Sequence, residues 1–238
     1  MRKIKGSNSY LRDQTMLNLA KAVLSALIFG IILFGVLYWS VFNFSFDIIS
    51  LVGLVSLIIP AVAAYYYVRK YHLYSGGRQG EKRVTRLLGS NLSDDYYLIN
   101  DLHLQGSRGD IDHILLAPNG IFVLETKNWR GKITCNGDKW HRTGKGELPS
   151  SPSRQVKWNV SRIRRIIDNT PALRTLKIWV EGIVILTNKH AVFDINSPTV
   201  TILGLDQLLK YIKTHESTSR LSREQLEVIG REIIRRKA

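Results

Sequence analysis

The segment GDIDHILLAPNGIFVLETKNW, residues 109 to 129, joins two apolar runs that carry four charged side chains, Asp110, Asp112, Glu125 and Lys127. Pro118-Asn119-Gly120 between them is a turn sequence, so the runs read as the strands of a hairpin. Side chains alternate along a strand, which places Asp110 and Asp112 on one face with Ile111 and His113 on the other. In the second strand Glu125 and Lys127 share a face, opposite Leu124 and Thr126. The turn then brings Asp112 and Glu125 near each other. Two close carboxylates repel, and burying them is costly without a cation. A hard divalent ion such as Mg²⁺, which takes oxygen ligands and keeps several waters, meets that need. Lys127, on the same side, can orient or help deprotonate a metal-bound water and stabilise negative charge added to a phosphoryl group. The plainer alternative is a Glu125–Lys127 ion pair on an exposed sheet face beside a solvated Asp112. Phe122, Val123 and Leu124 argue against it, because they demand burial on both faces. Asp110 reads as a strand-entry residue and His113 as a packed core histidine, both outside the site.

The surrounding pattern is mixed α/β. Val84, Leu87 and Leu88 have helical spacing within 78–88, after a Ser75-Gly76-Gly77 hinge. Strands are expected over 96–104, 111–117 and 121–126, and Asn136-Gly137 predicts a second hairpin. Over 153–168, Val156, Val160, Ile163 and Ile167 form one helical face, with Arg154, Lys157, Arg162 and Arg165 opposite. Strands at 178–187 and 199–203 precede helices at 205–213 and 221–236.

Two uncharged apolar runs, 22–42 and 48–68, come before this domain. Each is long enough to cross a hydrocarbon core of about 30 Å at about 1.5 Å per helical residue. A cleaved signal peptide has a shorter apolar region and no second one directly behind it. Residues 43–47 are too few for anything but an antiparallel hairpin, and Pro60 is expected to kink the second span. Arg2, Lys3, Lys5, Arg12 and Lys21 precede the first span; Arg69, Lys70, Arg78, Lys82, Arg83 and Arg86 follow the second. The loop carries only Asp47. Basic residues stay in the cytoplasm, so both termini and the domain are expected there, with Tyr38, Trp39 and Tyr65–Tyr67 at the membrane interfaces. The division is a basic N-terminus 1–21, a membrane hairpin 22–70, a domain 77–215 and a basic C-terminal helix 216–238.

Formal net charge is +15, which favours anionic partners, nucleic acid or an anionic lipid surface. Cys135 is the only cysteine, which excludes an intrachain disulfide and a cysteine zinc site. The six histidines form no HxH or HExxH pair. GGRQGEK lacks the Gly-Lys-Ser/Thr ending of a phosphate-binding loop. Arg154, Lys157, Arg162, Arg164, Arg165, Arg174 and Lys177 crowd one region as a candidate nucleic-acid surface, with Trp158 among them as a stacking platform. The basic C-terminal residues Arg231, Arg235, Arg236 and Lys237 suit an anionic leaflet equally.

The D-x12-E-x-K hairpin resembles the active site of the PD-(D/E)XK nuclease superfamily. More narrowly, GEKRVTRLL, YYLINDLHL, GDIDHILLAPNGIFVLETKNWRGKI and SPSRQVKWNV resemble the NERD, or nuclease-related, domain, over roughly residues 77 to 190. The resemblance implies a restriction-endonuclease-like mixed sheet flanked by helices. It implies Asp112 and Glu125 as ligands of Mg²⁺ or Mn²⁺, Lys127 as the catalytic lysine and Glu81 as the acidic residue that completes the site from a helix. It also implies a polar contact from Gln155 to substrate or metal. The family's proline ahead of the acidic strand position is absent, with Gly109-Asp110 in its place. The expected function is a membrane-anchored, metal-dependent nuclease acting on DNA ahead of RNA. The alternative is a nucleic-acid-binding or signalling module that has kept the fold and lost the chemistry.

Overall fold

The computed structural model describes residues 1–5, 10–43, 48–107, 109–217 and 220–238. The hairpin loop expected at 43–47 therefore lies mostly outside the described residues. The chain divides into two units, Ser9–Arg78 and the combination of Met1–Asn8 with Gln79–Ala238.

In the first unit, α1 (Tyr10–Asn43) starts a dozen residues ahead of the apolar run predicted for it. The second apolar run is divided between α2 (Ile48–Ser56) and the start of α3 (Ile58–Asn91), with Leu57 in a turn between them. Pro60 accounts for the break. It has no N–H to give the carbonyl four residues back, and its ring crowds that same carbonyl, which belongs to Ser56. Among the described residues two segments, Tyr10–Phe42 and Ile48–Asn91, are long and apolar enough to cross a membrane. Their apolar side chains face outward: Ile31, Phe34, Val41, Ile59 and Tyr65 are all about 70% exposed or more. Gly53 lies against the Val36 side chain, leaving no room for a Cβ where α2 meets α1. Ser75-Gly76-Gly77, expected as a hinge, lies inside α3.

The second unit is mixed α/β. Its main sheet has the order β1 (Arg2–Lys5), β2 (Tyr97–Leu102), β3 (Ile111–Ala117), β4 (Gly120–Lys127), β8 (Val180–Leu186), β10 (Thr201–Gly204). The β2–β3 and β3–β4 pairs are antiparallel, while β1–β2, β4–β8 and β8–β10 are parallel. A smaller sheet runs β7 (Gly146–Glu147), β6 (Lys139–Arg142), β5 (Gly131–Asn136), β9 (Ala191–Asn196). The Asn136-Gly137 turn forms as expected: Asn136 pairs with Lys139, and Gly137 takes the left-handed φ of 59°.

Both faces of the main sheet are covered, which is why its central strands read as continuous apolar runs. On one face Ile114, Leu116, Ile121, Val123 and Val184 pack against α4 (Pro152–Asp168) and α6 (Arg223–Arg235). On the other, Leu115, Phe122, Leu124 and Ile183 pack against Val84 and Leu88 of α3 and against α5 (Leu205–Thr214). Gly182 of β8 lets α4 lie close, since a Cβ there would stand 3.0 Å from both Val156 and Val160. α4 opens with Pro152 behind Ser151, whose side chain accepts from the Arg154 N–H.

Candidate active site

The β3–β4 hairpin places the acidic strand positions. His113 pairs with Leu124 and Ala117 with Gly120, so one step further along the same register Asp112 faces Glu125. The side chain of Asp112 then replaces a ladder partner: its Oδ2 accepts the Thr126 backbone N–H at 2.7 Å. Glu125 and Lys127 project from the same face of β4 as Ile121 and Val123. Lys127 Nζ donates to Glu125 Oε1 at 2.5 Å and stands 6.0 Å from the centre of the Trp129 ring. Glu125 is 1% exposed, so the pair is not the surface ion pair of the plainer alternative. Its second oxygen, Oε2, is buried with no hydrogen-bond partner. An ionised oxygen left like this costs more than the 1–3 kcal/mol or so of a neutral orphan.

Glu81 arrives from the other covered face, and its neighbours explain how. A Cβ on Gly80 would meet Thr187 Oγ1 at 2.8 Å, Asn128 Cβ at 3.0 Å and Thr126 Cγ2 at 3.2 Å. Only glycine lets α3 sit this tightly against the ends of β4 and β8. Two further bonds hold that junction: Arg83 Nη1 donates to Thr187 O at 3.1 Å, and the Thr187 N–H donates to Lys127 O at 3.0 Å.

The charges act on one another strongly. Burial, then the charge of Glu125, pushes Asp112 well above the usual carboxylate range; Lys127 and the Thr126 N–H oppose this. Burial also raises Glu125 in spite of Lys127. Glu81 is pushed up to about 8, first by burial and then by the charges of Asp101 and Glu125. Burial alone would lower Lys127, but Glu125 and Asp112 outweigh it and the ammonium is held more firmly than usual. Glu81, Asp112, Glu125 and Lys127 thus share one electrostatic environment. Its surplus of acid is relieved by protons or by a cation.

Among the described residues no three His, Cys, Asp or Glu side chains already close around a point as a metal cage. That suits Mg²⁺, which commonly takes one or two carboxylates and completes its shell with water and substrate phosphate oxygens. The buried, unpartnered Glu125 Oε2 beside Asp112 is the observation that makes the residues fit such an ion.

Two acidic residues outside the predicted set lie close by. Asp101 has a left-handed φ of 52° in mid-strand, where β2 skips a pair: Asn100 faces His113 and Leu102 faces Ile111. The skipped register position is opposite Asp112. Asp101, Asp112 and Glu125 therefore stand in one row across three neighbouring strands. Asn-Asp in YYLIND is a turn-prone pair inside an apolar run, and that was the only signal the sequence held for it. Asp110 bonds the His103 ring at 2.7 Å. His113 is buried and paired with Asn100 Oδ1, as a core histidine, and its charged form is disfavoured by burial.

Gln155 lies half-buried in the first turn of α4, and among the described residues no hydrogen bond joins its side chain to the carboxylates. On the same helix Lys157 Nζ pairs with both oxygens of Asp138, at 2.7 and 2.9 Å, and with Thr199. Arg162 Nη2 donates to Gln105 O at 3.0 Å. Arg154, Trp158 and Arg165 are exposed.

Residues 76–187 match the family described as "Nuclease-related domain", NERD. Glu81, Asp112, Glu125, Lys127 and Gln155 all fall inside that range. An uncharacterized protein of Bacillus anthracis is 36% identical over 83 residues, 34% of this chain and 38% of that relative. The chain therefore spans well under half of that relative's length. No solved structure matches significantly.

Proposed function

From a chain whose residues 76–187 match the nuclease-related domain family, we propose a membrane-anchored, metal-dependent nuclease that hydrolyses phosphodiester bonds, in DNA ahead of RNA. One observation carries the reading: a fully buried glutamate with an unsatisfied oxygen, beside the half-buried carboxylate of Asp112 and an ammonium. Asp112 and Glu125 would hold Mg²⁺ or Mn²⁺, with Glu81 at the margin, and the ion would supply an acidified water and neutralise phosphate charge. The protein groups do the rest. Thr126 N–H fixes the Asp112 carboxylate by one oxygen. Lys127 fixes Glu125 and remains an ammonium in this acidic setting, so it acts as a hydrogen-bond donor and positive charge toward the phosphoryl group rather than as a base. Glu81, with its proton affinity near neutrality, is able to hold or release a proton at the edge of the site.

The cytoplasmic orientation is part of the proposal. Strand β1, ahead of the apolar hairpin, pairs with β2, which follows it. Both flanks of the hairpin then belong on one side of the membrane, and their basic residues select the cytoplasmic side.

The test is cleavage of plasmid DNA, oligodeoxynucleotides and oligoribonucleotides by the full chain in detergent micelles, with Mg²⁺, Mn²⁺ or EDTA, against Glu125→Gln. Metal-dependent products that vanish in Glu125→Gln are expected. The second reading is a binding module without turnover, in which Lys127 serves only to neutralise Glu125. Nucleic-acid binding with no cleavage under any metal would select it.

A further inference from the structure

We infer that the outward stripe of α4 is a docking platform for a single-stranded stretch of nucleic acid leading to the acidic site. This rests on the nuclease reading. Within the unit that carries the site, the exposed large apolar side chains among the described residues are Trp158, Trp179 and Val192. Trp158 is 58% exposed, in the middle of a regular helix. Arg154 lies one turn before it and Arg165 two turns after, so all three fall along one stripe. The side chains of Arg154 and Arg165 make no hydrogen bond or ion pair among the described residues.

The other three cations of this helix are committed elsewhere, Arg164 through a hydrogen bond from its Nη2 to the Val180 carbonyl at 3.1 Å. Lys157 is neutralised by Asp138. Arg162 is bonded to the Gln105 carbonyl, and a Cβ on Gly106 would stand 3.4 Å from its Nη2. Arg162 thereby fastens the stripe, one turn from Trp158, to the segment that enters β3 at Asp110 and Asp112. A ligand lying on Trp158 is next to the approach to the carboxylates.

The choice of single strand follows from what remains. Duplex binding draws its affinity from many phosphate contacts, and this stripe offers two unneutralised guanidinium groups. An exposed indole gains little from paired, stacked bases, but an unpaired base stacks on it directly and without sequence preference.

The experiment uses the full chain in nanodiscs, with Glu125→Gln to stop cleavage, and fluorescein-labelled oligo-dT, oligo-U and a duplex of equal length. Single strands should bind more tightly than duplex. Trp158→Ala should weaken single-strand binding roughly five- to hundredfold, Trp158→Phe should retain most of it, and Trp179→Ala should not change it. Trp158→Ala should leave the salt dependence unchanged, while Arg154→Ala and Arg165→Ala should each lower the single-strand slope by roughly 0.7. Single-strand binding that ignores Trp158, or tighter duplex binding, overturns this inference and leaves the nuclease reading standing. Binding of none of the three probes removes both. Lipid-borne quenchers that extinguish the fluorescence lost in Trp158→Phe would assign the stripe to the bilayer and also overturn the inference.

Discussion

Replacing Glu81 by glutamine should stabilise the metal-free protein at alkaline pH and leave it unchanged at acid pH. Burial and the neighbouring acids push Glu81 up to about 8, from an ordinary 4.5. Because the folded state holds this proton more tightly than the unfolded chain does, stability is greatest below about 4.5. It falls as pH rises through the interval and levels off above about 8. At about 1.36 kcal/mol per pH unit the full interval is worth roughly 5 kcal/mol. Glu81 is partly open to water, and screening reduces this to about 2 kcal/mol. For a domain of this size, that corresponds to roughly 4–8 °C in melting temperature. Four of the five tryptophans lie in the second unit, so intrinsic fluorescence melting in detergent micelles reports its unfolding. Wild type and Glu81→Gln should melt together near pH 4.5, and the variant should lead by several degrees at pH 8.5. Asp112 and Glu125 add their own pH dependence to both proteins, so the difference between the two curves isolates Glu81. Saturating Mg²⁺ should narrow the gap by stabilising wild type more. Parallel curves across the whole range, or a variant that is less stable at pH 8.5, would refute the electrostatic account.

Gly80→Ala should cost roughly 1 kcal/mol net: overpacking against Thr187, Asn128 and Thr126 costs about 1–3 kcal/mol and the helix-propensity gain returns about 1. Its melting temperature should drop and its Mg²⁺ affinity weaken together, as Glu81 is displaced. Asp101→Gly should raise the metal-free melting temperature by a few degrees, because glycine takes a φ of 52° without strain and removes a charge that acts on Glu81. Asp112→Asn should abolish Mg²⁺ binding, measured by calorimetry, with the fold retained in circular dichroism. Lys127→Ala should keep Mg²⁺ affinity and lose turnover, read as a fall in kcat; an intact kcat would remove Lys127 from the phosphoryl chemistry.

Much of this geometry was legible because local rules and tertiary structure agree. The PNG turn, the period-two alternation and the apolar runs set the β3–β4 hairpin, and with it the Asp112–Glu125 juxtaposition. The spacing of Val156, Val160, Ile163 and Ile167 set α4 within a residue, and the Ser151 cap ahead of Pro152 went unread. What escaped depends on distant partners. Strand β1 lies in a basic tail and forms only because β2 presents an open edge. β9 alternates half-buried and exposed residues in AVFDIN, too polar to signal a strand without β5 beside it. Gly80 is one glycine among 18 in the sequence, and its packing against β4 and β8 appears only in three dimensions. Lys157 and Arg162 carry the same charge on paper as Arg154 and Arg165, yet Asp138 and the Gln105 carbonyl take them out of the free surface.

The site stands out because it contradicts the construction of its own sheet. Elsewhere β3 and β4 bury Ile114, Leu116, Ile121 and Val123 at no electrostatic cost. One register step beyond, the same strands set the half-buried Asp112 opposite the buried Glu125, and β2 abandons regular geometry to add Asp101 to the row. The Thr126 N–H answers Asp112 and the Lys127 ammonium answers one oxygen of Glu125, while Glu125 Oε2 is buried without a hydrogen-bond partner among the described residues. A sheet selected for stability alone would carry valine or isoleucine at these positions, since apolar replacements of buried charges are often neutral or stabilising. Helix α3 deepens the conflict by delivering Glu81 across the seam that Gly80 and Arg83 hold shut. In the proposed nuclease a divalent cation would answer that oxygen and the Asp112 carboxylate, with water and phosphate oxygens filling its remaining positions.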